Sequence, residues 1–216
     1  MIAEIYGVMD IPPLSAMLCE DLGRTWLAVH FSALIGGRKG TSTASIISSG
    51  LALLLISELK AFLNDDYLGG YTPNRVIILI VVKLVSMWGL EYGPDIKRQE
   101  GTLAETASKL IPSQESIGYF AAFYVLLDGS AMYFAPYKYA EVSYICCYSL
   151  LFEIPSSHFS FSLPSLQFWG YTLDSELSRF LAVSNGEILM MLGTFWLALL
   201  KDVDSFKALC LLGLYN

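Results

Sequence analysis

The sequence predicts an all-α fold, a small polytopic helical membrane bundle of about four spans. Three observations carry that prediction. The mean hydropathy is +0.54, with 55% of residues hydrophobic and 15% charged, values outside the usual range of a soluble domain. Four apolar runs recur along the 216 residues: Thr41–Ser57, Val76–Leu90, Ile117–Pro136 and Glu187–Leu200. Isolated charges interrupt two of them, Lys83 in the second and Asp128 in the third. Charges at such depth are costly in a bilayer and normally face a bundle interior. The alternative fold is a soluble mixed α/β or all-α domain with an aromatic-rich core.

Residues 1–216 read as a single domain. Residues 1–40 read as an N-terminal interfacial or re-entrant segment. Pro12-Pro13 interrupts helix there, and the uncharged stretch Thr25–Ile35 is only eleven residues. Such a stretch makes about 16 Å of helix, against a hydrocarbon core of about 30 Å. Gly36-Gly37-Arg38-Lys39-Gly40 follows as a basic turn.

Residues 41–136 hold three candidate spans. Thr41–Ser57 begins with small hydroxylated residues, which let membrane helices approach closely. Val76–Leu90 opens on a β-branched run that would also suit a buried strand, but the run is too long for a typical one. A polar connection at 91–116 precedes Ile117–Pro136, the longest run. Residues 137–186 form an aromatic-rich irregular segment. Within it, Tyr139–Phe152 is a further apolar stretch whose crossing the sequence leaves open, and His158–Leu163 alternates like a half-buried strand. Asn185-Gly186 breaks the chain before 187–216, the last candidate span and its tail.

Charge and motifs exclude several function classes. The net charge is -7, and the 13 Lys and Arg are scattered singly or in pairs. Phosphate binding needs a clustered basic surface, so no nucleic-acid partner is expected. The four cysteines include no C-x-x-C spacing, and His30 and His158 lie in no ligand motif, so no metal and no cofactor is expected. No catalytic motif is present, which points away from an enzyme. Met1–Asp21 has no Lys or Arg and does not read as a secretory leader. With four spans, Lys and Arg divide eight to four between the two sides. Both termini are then expected on the cytoplasmic side.

Three residues stand out as binding or relay candidates: Lys83, Asp128 and Glu141. Lys83 is the eighth of fifteen residues in its run and Asp128 the twelfth of twenty in its own. Both are expected near mid-depth, where pairing would lower the cost of burying either charge. The pair reads as an ion or proton relay, or as a salt bridge that fixes helix register. Glu141, with Glu153, brackets Tyr144, Cys146, Cys147 and Tyr148 as a possible acid–base pair. The expected function is a small integral membrane protein, either a structural subunit of a membrane complex or a small transporter. Its partners would be the lipid bilayer and other membrane subunits. The rival classes are a soluble apolar binding module or enzyme, and an artificial sequence with no evolved function.

Overall fold

In the computed structural model, the described residues are 13–38, 40–63, 73–93, 112–136, 176–204, 207, 208 and 210. They form five helices: α1 (Pro13–Gly36), α2 (Thr43–Leu63), α3 (Pro73–Tyr92), α4 (Gln114–Phe134) and α5 (Glu176–Leu200). The fold is an all-α bundle, with no strand among the described residues. The four expected spans correspond to α2 through α5. The strand reading of Val76–Leu90 fails because its apolar residues continue into one helix of 20 residues.

Two expected interruptions do not interrupt. Pro13 opens α1 at a position where the missing N–H would have had no intrahelical partner. The helix then runs unbroken for 24 residues, about 36 Å at 1.5 Å per residue. Its charges do not end it because they pair along its own surface: Arg24 meets Glu20 at 2.7 Å and Asp21 at 3.1 Å. Residues 13–36 are therefore a full member of the bundle. Likewise α5 passes straight through Asn185-Gly186. There Gly186 is a notch: a Cβ added to it would lie 2.6 Å from the Gly129 carbonyl oxygen of α4.

The helix ends follow local chemistry. Ser42 accepts a hydrogen bond from the Ser45 N–H at 3.1 Å, just before α2. Ser113 caps α4 by accepting from the Ser116 N–H at 3.1 Å. Such caps satisfy N–H groups that the first helical turn leaves without carbonyl partners. Gly36-Gly37 ends α1, with the Gly37 N–H on the Ala33 carbonyl at 3.0 Å. Gly40 then takes a φ of 86°, a conformation that favours glycine.

Cross-helix contacts fix the directions. Glu20 meets Lys60 and Arg24 meets Ser57, so α1 and α2 are antiparallel. Gly129 faces Gly186, and Gly118 faces Leu200, so α4 and α5 are antiparallel as well. Gly89 packs on Ile117 while Gly93 packs on Gln114, which sets α3 against α4 in the same sense. Thr25 meets Asn185, whereas Ser32 and Trp196 both meet Gly50. Hence α1 and α5 run parallel, and Pro13 and Leu200 lie at opposite ends of the bundle.

The most extensive packing joins α4 to α5. Its seam on α4 is Gly118, Ala122, Val125, Gly129 and Met132, alternating four and three residues apart. Small side chains here let the two backbones touch, as membrane helices do in the absence of a hydrophobic drive between them. Along α5, Leu192, Phe195 and Trp196 are fully buried. The outer faces are different. Leu27, Leu34, Val85, Trp88, Phe120, Phe123 and Leu127 all point outward. Three helices are long and apolar enough to cross a membrane: α2 over Thr43–Lys60, α4, and α5.

Candidate functional site, a charged cavity between five helices

The buried stripe of α2 is Ile47, Leu51 and Leu54, spaced four and three apart, and its next member is Glu58. The buried stripe of α3 is Val76, Leu79, Lys83, Ser86 and Leu90. Helical period alone therefore turns Glu58 and Lys83 inward. They meet: the Lys83 ammonium is ion-paired to Glu58 Oε1. The two side chains are only 6% and 14% exposed, so this is a buried pair rather than a surface contact.

The pair borders a cavity to which every helix contributes. Asp21 and Thr25 come from α1, Ser57 and Glu58 from α2, and Lys83 from α3. Tyr124 and Asp128 come from α4 and Asn185 from α5. Leu54, Leu79, Val125, Met132 and Leu189 complete the wall. About 60 Å³ is open to the centre of a water molecule. Since one water needs about 10–15 Å³ on this measure, the space holds a few waters or one small ion. It is far below the ~300 Å³ at which drug-sized ligand sites begin.

Around the cavity the polar groups are tied to one another. Arg24 reaches Asp21 on its own helix and the Ser57 hydroxyl on α2. Thr25 Oγ1 lies 2.7 Å from Asn185 Oδ1 and 2.8 Å from the Asp21 carbonyl oxygen. One atom stands apart: Glu58 Oε2 is buried and has no hydrogen-bond partner among the described residues. A buried carboxylate oxygen left this way forfeits its hydration. Counting residues from the ends of α1 and α3 nearest the cavity, Asp21 and Lys83 lie roughly 12–15 Å deep at 1.5 Å per residue. On the same count Asp128 and Glu58 lie roughly 8–9 Å from their ends.

The sequence singled out Lys83 and Asp128, and both line this cavity. The expected partner differs, because the structure sets the Lys83 ammonium on Glu58. Glu58 sits just past the uncharged run Thr41–Ser57 and so reads in sequence as a boundary residue. Glu141 lies outside the described residues. Asp21, Arg24, Thr25, Ser57, Glu58 and Asn185 were not anticipated as site residues. The stripe from Ile47 to Leu54, extended by one more step, would have found Glu58. Among the described residues no group of three or more His, Cys, Asp or Glu could hold a metal ion.

The fold and cavity together define an all-helical bundle with three membrane-length apolar helices and an internal charged site. No protein-family model, curated protein or solved structure matches the chain.

Proposed function

We propose that the protein is a small multi-pass membrane transporter whose cargo is a proton or small inorganic cation. The carrying observation is the cavity: three carboxylates and a lysine, drawn from α1 through α4, around a space of ion size. A protein needed only for packing would do better with apolar residues there, since a buried ion pair is often no more stable than its apolar replacement. The apolar outer faces of α1 to α4 support lipid contact. The rival role, a structural membrane subunit, draws support from the close α4–α5 seam.

Topology follows from the helix directions. If all five helices cross, Lys60, Arg75, Lys138 and Arg179 fall on one side. Arg38, Lys39, Lys97, Arg98, Lys109, Lys201 and Lys207 fall on the other. The second side, seven to four, is the cytoplasmic one. The end of α5 then remains cytoplasmic, as the four-span count expected, while the start of α1 moves to the opposite side.

Purified protein reconstituted in sealed vesicles tests the transport reading. Under an imposed potential we expect proton or alkali-cation flux above protein-free vesicles, abolished in Lys83→Met. Vesicles as tight as controls to protons, sodium and potassium would refute transport and favour the structural role.

A further inference from the structure

The cavity holds one feature that packing leaves unexplained. Glu58 offers two carboxylate oxygens, and Lys83 engages only Oε1. Oε2 is shielded from solvent, lacks a hydrogen-bond partner among the described residues, and belongs to a side chain lining the cavity. Buried oxygens are normally satisfied by protein, water or a bound group. The space that Glu58 lines admits water.

We propose that Glu58 is the proton-binding residue of the cavity, with Lys83 as its built-in counter-ion. This deepens the transporter reading and rests on it for its role in transport. The Glu58 carboxylate takes a proton from a hydronium ion in the cavity, forming an O–H bond and leaving a water behind. Glu58 becomes a neutral carboxylic acid. Lys83 loses its ionic hold and stays in the cavity that Asp128 also lines. Loss of the proton to water restores the Lys83–Glu58 pair. An ammonium on a flexible stem suits such a role because it can change partners while staying charged.

The charged and titratable groups facing Glu58 are Asp21 and Arg24 from α1, Lys83 from α3, and Tyr124 and Asp128 from α4. α5 faces it with Asn185, which does not titrate. Lys83 is the group in direct contact.

Infrared difference spectroscopy of the detergent-purified full chain, stepped from alkaline to acid pH, reads the proton directly. We expect a carboxylic-acid carbonyl band to appear on acidification and to shift in heavy water. The band should move when the protein carries carboxyl-labelled glutamate and stay when it carries labelled aspartate. It should vanish in Glu58→Gln and survive in Asp128→Asn. The isotope arm needs no substitution, so a misfolded variant does not weaken the test. A band that follows labelled aspartate, or that Glu58→Gln leaves intact, overturns the assignment. Protonation at Glu58 without flux in vesicles supports the site and refutes transport; alkali-cation flux with no glutamate band does the reverse.

Discussion

Thr25 on α1 meets Asn185 on α5 at 2.7 Å, joining helices whose contact residues stand 160 positions apart. The same Thr25 hydroxyl lies 2.8 Å from the Asp21 carbonyl oxygen. A hydroxyl has one proton and cannot donate to both oxygens. Turning the Asn185 amide so that Nδ2 donates to Oγ1 satisfies both contacts. We therefore expect Thr25→Val and Asn185→Leu to be strongly coupled. Their coupling should be of the order found between membrane helices, which averages about 0.6 and reaches about 1.7 kcal/mol. A double-mutant cycle of unfolding in mixed micelles measures this, and strict additivity would show the bond contributes nothing.

The ion pair makes a sharper prediction. Breaking a buried pair on one side costs about 3–5 kcal/mol, because the remaining charge is left uncompensated. Lys83→Met and Glu58→Gln should each lose stability on that scale, and the double variant should recover much of it. The cycle of Lys83→Met with Asp128→Asn should give a smaller coupling, since Lys83 bonds to Glu58. Equal couplings in the two cycles would mean the ammonium divides its time between both carboxylates.

Close approach of α4 and α5 predicts a severe response at two glycines. A Cβ on Gly129 would lie 2.6 Å from the Gly186 carbonyl oxygen and 2.8 Å from Leu189 Cβ. Since those neighbours include backbone, relief requires the helices to separate. Gly129→Leu or Gly186→Leu should cost at least the ~1–3 kcal/mol typical of overpacking. Gly23→Ala, with nothing within 4 Å, should be neutral or stabilising by up to about 1 kcal/mol. Thermal aggregation midpoints of the three variants rank them, and a wild-type midpoint for Gly129→Leu would refute the seam.

Topology can be read by labelling single cysteines in a cysteine-free background. Ser42 and Lys207 should react from the cytoplasmic side and Asp66 from the other. Reaction of Asp66 with an impermeant reagent from the cytoplasmic face alone would contradict this arrangement.

Much of the bundle was legible because period and length carry it. Four runs of apolar residues became α2 through α5, and Lys83, expected to face the interior because of its depth, lies on the buried stripe 76–79–83–86–90. α1 was not legible, for a physical reason. Hydropathy counts Glu20, Asp21 and Arg24 as three penalties, whereas their mutual pairing on one helix surface removes much of the cost. Asn185-Gly186 misled in the opposite way, because a turn signal and a packing notch use the same residues. The partner of Lys83 was invisible because depth along a run says nothing about the azimuth of the neighbouring helix.

The Lys83–Glu58 pair links helices that are consecutive in the chain, and this bears on how the protein is made. α2 leaves the ribosome before α3, so the lysine emerges with its counter-charge already waiting one hairpin upstream. In a bilayer, a lone lysine at such depth costs about 2.5–3.5 kcal/mol on insertion scales. Under the proposed multi-pass topology, the α2–α3 hairpin would enter instead as an electrically balanced unit. Asn185, by contrast, arrives with the last described helix, and its bond to Thr25 joins that helix to the first described one.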